Sequence, residues 1–309
     1  MGYEIEFDAS PAYELLSSLN LFLFNKGING MKNLFTKRMN GPFRKAVTPH
    51  LAGAKQGLAA EALAILIWQC PDKTDTASFI DWFAALDVDE LHERLHPHVK
   101  NLSRLIPSLA EWQPKAVRWI QVWHHHYFSE LESNWTKRAK DDLTSKQADL
   151  AQTTNQTEFV ESVLQGVYVE AVPKLSRVLL IPGVHYAPAN LRMDFRDTML
   201  FVYPMSTGVT ESGTRVMADL SRITKALSDE VRLLILSNLS VTPVRFTDIA
   251  TQTGLPKSTL HNHLIHLRDA GFVRVHARLN KTDRYSLRYK AFSELTEMLS
   301  HFQAQLRSE

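Results

Sequence analysis

Apolar and polar residues alternate at the start of the chain. In "YEIEFD", Tyr3, Ile5 and Phe7 are separated by acids, the period of two that marks a half-buried strand. The period then lengthens. A helix is expected from about Ser10, a good N-cap with Pro11 at the first helical position. Apolar residues recur at three and four positions from Lys55 to Trp68 and again from Thr76 to Leu86, which is helical spacing. After Pro114 the chain runs 38 residues, from Lys115 to Gln152, without Gly or Pro, and reads as one long helix or two in series. "VYVEAV", "RVLLI" and "MLFVYP" are short β-branched or aromatic runs ended by Pro173, Pro182 and Pro204, and read as buried or edge strands. With the N-terminal strand they are expected to make a small sheet packed against the helices. Residues 204–214, "PMSTGVTESGT", read as a linker, which puts a domain boundary near residue 210.

Beyond that boundary the helical period returns. In "LSRITKALSDEVRLLILSNLS", Leu220, Ile223, Leu227, Leu234 and Ile235 stand at helical spacing, and Ser228 is placed to cap a second helix. "FTDIATQTG" reads as a short helix with Thr247 as N-cap and Gly254 as its left-handed end. A further helix is expected from Pro256 to Ala270, stopped at Gly271. Two short helices joined by a tight turn around Gly254 make a helix-turn-helix. "FVRVHARL" and "RYSLR", separated by the polar "NKTD", read as a β-hairpin with Arg278, Lys281 and Arg284 at or beside its tip. The expected fold class is α+β, mainly α. A helical domain with a small β-sheet occupies residues 1–210, and a winged helix-turn-helix occupies residues 215–309.

Length and composition agree with that division. The chain has 309 residues, enough for two domains, and its 44% hydrophobic and 22% charged content is that of an ordinary soluble protein. The net charge of +2 hides an asymmetry: residues 214–309 carry 14 Lys and Arg against 9 Asp and Glu. A basic end of this kind marks a polyanion-binding module. Cys70 is the single cysteine, which excludes an internal disulfide and a thiolate metal cage and fits a reducing compartment. The acidic start "MGYEIEFDAS" lacks the features of a secretory signal, and the longest apolar tract, the 13 residues "LAAEALAILIWQC", is too short to span a bilayer. A cytoplasmic protein without membrane association is expected.

The segment "LPKSTLHNHLIHLRDAG" raises the question of metal, because it holds three histidines. At 100° per residue Leu260, Leu264 and Leu267 define a buried face, while Ser258, Asn262 and Ile265 lie opposite, with Lys257 and His261 to one side and Thr259 and His266 to the other. His261, His263 and His266 therefore point in three directions and do not make a zinc site. His263, beside the leucines, reads as a packed, hydrogen-bonded core histidine. Lys257, Ser258, Thr259, His261 and Asn262 are the candidate contacts to double-stranded DNA in a major groove, with Arg278, Lys281 and Arg284 on the adjacent backbone. Asn262 has the bidentate amide suited to adenine.

These residues resemble the recognition helix of arsenical-resistance-repressor (ArsR) type winged-helix regulators, which read S-T-x-S-x-H-L-x-x-L-x-x-A-G-L-V. Ser258, Thr259, His263, Leu264, Leu267, Ala270, Gly271 and Val273 stand at matching places. "KALSDEVRLLIL" is similar to the family's preceding helix, with Lys225, Asp229, Arg232 and Ile235 matching and Glu230 in place of the usual Pro. The resemblance covers the last third of the chain. It implies a homodimer paired through the first and last helices of the winged helix, for which Leu295, Met298, Leu299, Phe302 and Leu306 form an apolar stripe. The alternative is that this stripe packs on the protein's own core. The family's Cys-based metal site has no counterpart in "PVRFTDIA", and Glu297 with His301 on the last helix is half of a site.

Other chemistry is weaker. "HERLH", residues 92–96, matches the H-E-x-x-H of zinc hydrolases, with Glu111 as an imaginable third ligand. Arg94 beside the would-be metal and Pro97 at the helix end argue instead for a surface helix with Leu91 and Leu95 inward. In "HHH", residues 124–126, successive rings diverge by 100°, and His126 is expected to pack with Trp119, Val122 and Trp123. The six tryptophans, all within the first 135 residues, are expected in the core, with the lining of a ligand pocket as the alternative. No catalytic residue, metal or cofactor is assigned. The sequence thus reads as a DNA-binding transcriptional regulator, a repressor at an inverted repeat, with a small-molecule or protein effector on its N-terminal domain. A metal- or ligand-gated sensor and, behind it, a zinc metallohydrolase are the alternatives.

Overall fold

The structure, a computed structural model, describes residues 2–24, 39, 41–187, 189–205 and 212–306. The chain divides into two compact units, one of residues 1–151 and 173–205, the other of residues 152–172 and 206–309. In chain order the first unit holds β1 (Glu4–Phe7), α1 (Pro11–Phe24), α2 (Pro42–Val47), α3 (Ala54–Gly57), α4 (Ala60–Gln69), α5 (Thr76–Ala85), α6 (Val88–Leu95), α7 (Leu102–Leu105), α8 (Leu109–Trp123) and α9 (Ser129–Gln152). The excursion of residues 152–172 carries α10 (Gln156–Val163) and β2 (Val167–Val169). The chain then supplies β3 (Arg177–Gly183), β4 (Leu191–Asp194) and β5 (Thr198–Pro204) to the first unit.

The sheet of the first unit is ordered β1-β3-β5-β4. β3 pairs in parallel with both β1 and β5, from Glu4↔Arg177 to Phe7↔Leu180 and from Arg177↔Thr198 to Gly183↔Pro204. β4 runs antiparallel along the β5 edge. β3 and β5 are apolar and buried almost throughout, as strands of a parallel sheet covered on both faces must be. Glu14 fastens α1 to the end of β3. It is wholly buried, and its Oε1 accepts from the backbone N–H groups of Val184 and His185, each at 2.9 Å, and pairs with His185 Nδ1. His185 Nε2 in turn meets Tyr127 Oη at 2.8 Å.

Several expectations are corrected. The helix expected after Pro114 starts earlier, at Leu109, because Ser108 caps it through Glu111 N–H, and Pro114 lies inside it. The long helical stretch is broken at His124–Phe128 by a π turn. That turn admits an extra residue and shifts the register. Tyr127 and Phe128 point inward and His126 is exposed, stacked at 6.0 Å on His50, so the half-buried histidine is His124, bound to Glu132 at 2.9 Å. Trp112, Trp119, Trp123 and Trp135 are buried, while Trp68 and Trp82 are half-buried at the margin of the core.

The second unit continues with α11 (Ser212–Leu227), α12 (Glu230–Ser237), β6 (Val244–Arg245), α13 (Phe246–Thr253), α14 (Lys257–Asp269), β7 (Val273–Ala277), β8 (Arg284–Leu287) and α15 (Lys290–Leu306). Most of the expected linker, residues 206–211, lies outside the described residues, and residues 212–214 begin α11. The cap of α12 is Asp229, whose carboxylate accepts from Arg232 N–H at 3.1 Å, and not Ser228, whose hydroxyl donates to Lys225 O. Arg245 and Asp248, not Thr247, close the start of α13. Leu234 faces outward at 44% exposure, while Leu220, Ile223 and Ile235 enter the core. The sheet is ordered β2-β7-β8-β6. "VYVEAV" is thus a strand, but in this sheet and not in that of the first unit, so residues 152–172 lie with the C-terminal unit and not within the expected domain of residues 1–210.

Candidate nucleic-acid interface

α13 and α14 are joined by a short turn that a left-handed Gly254, φ 67°, makes possible. α14 is then held by one face: Leu260, Leu264 and Leu267 are buried among Ile235, Ile249, Phe272 and Val273. That burial determines what the other face presents. Lys257, Ser258, His261 and His266 are exposed, and Thr259 and Asn262 are half-exposed. Lys257, Ser258 and Asn262 make no side-chain hydrogen bond or ion pair among the described residues, whereas His261 lies edge-on to Phe246 at 6.4 Å. His263 is half-buried, as its place beside the leucines requires, but its Nδ1 is buried without a hydrogen-bond partner, contrary to expectation.

β7 and β8 form an antiparallel hairpin from Val273↔Leu287 to His276↔Arg284, and Asn280 takes the left-handed conformation, φ 57°, near its tip. Lys281 is exposed there. Arg284 is half-buried, and so is Arg278, whose guanidinium lies 3.8 Å from the Glu170 carboxylate. The three cations expected to act together are therefore unequal: Lys281 stands open, whereas Arg278 already faces a carboxylate. Between them His276 is buried and bonded to Ser286 Oγ at 2.9 Å. Burial, reinforced by Arg274 and Arg284, lowers its pKa from 6.5 to about 4, so the ring is neutral at pH 7.

On α15, Leu295 and Met298 pack partly on the core of their own unit, Phe302 is half-buried and Leu299 is 44% exposed. Phe292, 39% exposed, and Met217 on α11, 57% exposed, add apolar surface. The side chain of Leu306 lies outside the described residues. Glu297 and His301 are both exposed.

In the first unit, Leu91 and Leu95 of α6 are buried and Arg94 pairs with Glu90 at 2.7 Å. His92 and His96 are exposed with their rings stacked at 5.1 Å, and Glu111 is ion-paired with Lys115 at 3.7 Å. Among the described residues no three His, Cys, Asp or Glu side chains gather as a metal would need. The two imidazoles instead line a cavity of about 520 Å³ with Asp89, Arg196, Val99 and Ile106. Sequence reasoning missed this cavity, because Arg196 reaches it from the turn between β4 and β5, about a hundred residues away. It also missed Glu161, Tyr168 and Glu170, which lie against the hairpin, since nothing local in "VYVEAV" names its partner strand.

Among the described residues no helix is long and apolar enough to cross a membrane. The sequence model of the family described as bacterial regulatory protein, arsR family, matches residues 229–275. None of the curated proteins compared with the chain matches it. Among solved structures, an ArsR-like transcriptional regulator from Rhodococcus sp. RHA1 is 25% identical, with 31% of this chain and 88% of that one covered and a TM-score of 0.27. The solution structure of a homodimeric winged helix-turn-helix DNA-binding domain from Mycobacterium bovis, a possible ArsR-family transcriptional regulator, is 22% identical over 34% of this chain and 96% of that one, with a TM-score of 0.25. Residues 229–275 thus carry an ArsR-family helix-turn-helix, and the rest of the chain lies outside the family match.

Proposed function

We propose that residues 215–309 bind double-stranded DNA and that the protein is a cytoplasmic transcriptional repressor, acting as a homodimer at an inverted repeat. The observation that carries this reading is the outer face of α14, whose Lys257, Ser258 and Asn262 are unengaged, inside the segment that the arsR family matches. In this reading α14 enters the major groove, with Lys257, Ser258, Thr259, His261 and Asn262 at the bases and phosphates. The β7–β8 hairpin is the wing, and Lys281, Arg278 and Arg284 meet the adjacent backbone. Leu295, Met298, Leu299 and Phe302 contribute to the dimer face, together with Phe292 and Met217.

The first unit, residues 1–151 and 173–205, holds the effector-responsive part. We place a small-molecule effector in the cavity of about 520 Å³, whose size suits a ligand site and whose lining combines the cationic Arg196, the imidazoles of His92 and His96 and the Asp89 carboxylate with apolar Val99 and Ile106, a set that suits a small polar organic molecule.

Selection of bound sequences from random duplex DNA by the full chain, with EDTA and with added zinc, tests the reading. Enrichment of an inverted repeat in both conditions is the expected result. Enrichment in EDTA alone would favour a metal-gated sensor, and no enrichment in either would defeat the assignment.

A further inference from the structure

The chain leaves the first unit at residue 152, adds one strand to the hairpin of the second, and returns to the first unit at residue 173. In this excursion β2 lies parallel to β7, Val167 opposite Val275 and Val169 opposite Ala277. Val275 N–H donates to Gly166 O at 2.9 Å and Glu170 N–H to Ala277 O at 3.0 Å. An edge that would otherwise stand open is thereby covered. The turn that delivers β2 has positive φ at Gln165 and Gly166, 51° and 92°, so a side chain at position 166 would be strained, with its Cβ 3.4 Å from Val273 O.

The side chains repeat the pattern in charge. Glu161 of α10 binds Arg274 Nε at 2.7 Å, and the same guanidinium lies 5.3 Å from the Tyr168 ring. Glu170 lies 3.8 Å from Arg278 Nε and 3.7 Å from His276 Nδ1. Two carboxylates of the excursion are thus set against the strand that leads to the hairpin tip, where DNA phosphates would also seek cations.

We propose that residues 156–170 are a tethered strap that restrains the DNA-binding hairpin: β2 holds the β7 edge while Glu161 and Glu170 offset the charge of Arg274 and Arg278. This rests on the DNA-binding reading given above. Both ends of the strap run covalently into the first unit, and the sign of its effect on the hairpin is inhibitory, since Glu170 faces the wing cation Arg278.

The test is Glu170→Gln in the full chain, with affinity for the selected operator measured from 0.05 to 0.3 M salt. Removing one negative charge beside the wing should tighten binding by up to about tenfold at 0.1 M salt and steepen the salt slope by up to about 0.9, the value of one phosphate contact. Unchanged or weaker binding overturns the inhibitory sign. In parallel, Gly166→Val should unseat β2 and expose the Val275 amide to hydrogen exchange, while the wild-type amide is protected. An equally protected Val275 in Gly166→Val overturns the strap whether or not DNA is bound. Failure of the wild type to bind any DNA overturns the reading beneath it, and the exchange result still decides whether β2 is seated.

Discussion

In the proposed interface Asn262 and Lys281 have two different roles. Asn262 sits on the outer face of α14 with its amide unengaged, so Asn262→Ala should relax base preference at one position, at a cost of about 1 to 3 kcal/mol if the contact is bidentate. Lys281 stands exposed at the hairpin tip, and Lys281→Ala should weaken all sequences alike and flatten the salt slope by about 0.9. Titration of both variants on matched and mismatched duplexes checks this. A changed preferred sequence with an intact slope for Lys281→Ala would refute the wing role. His276 supplies a pH dependence. Its pKa is near 4 in the folded hairpin against 6.5 unfolded, so the unfolded chain takes up the proton first as pH falls. Its stabilising contribution is complete above about pH 6.5 and is lost between there and pH 4, by up to about 3 kcal/mol. Urea unfolding across that range should show the decline, and His276→Gln should flatten it. At this scale the sequence is a good guide to which side chains face out, because a helical wheel with three leucines leaves little freedom. It misplaces His126, since one π turn shifts every later residue.

The elements of the helix-turn-helix follow from local chemistry. Gly254 is left-handed at φ 67° with open space around a would-be Cβ, so Gly254→Ala meets no clash and should cost only the conformational penalty, about 1 kcal/mol in denaturant unfolding. A loss of several kcal/mol would mean that the turn is packed rather than open. Caps are legible in kind but not in position: Ser228 and Asp229 are both cap residues, and the hydrogen bond to Arg232 N–H chooses Asp229. Strands are legible as strands. Their partners are not, because β2 pairs with β7 more than a hundred residues later and only the assembled sheet brings the two edges together.

For the molecule as a whole, the apolar residues exposed on α11 and α15 are the dimer prediction. Leu299→Arg should raise the dimer dissociation constant in sedimentation equilibrium and abolish the preference for paired half-sites about 34 to 36 Å apart, while binding to a single half-site persists. An unaltered dimer would place the interface elsewhere. The sequence by itself determined the parts whose cause is local: helical and strand periods, the Gly254 turn, the buried leucine face of α14 and the basic end of the chain. Each follows from residues within a few positions of one another. The tertiary structure alone decided which sheet "VYVEAV" joins, that Arg278 faces Glu170 while Lys281 stands open, and that His92 and His96 share a cavity with Arg196. Those outcomes depend on edges and charges brought together from distant segments, and a linear pattern carries no record of them, because hydrogen-bonding edges and ion pairs are formed by proximity in space and not along the chain.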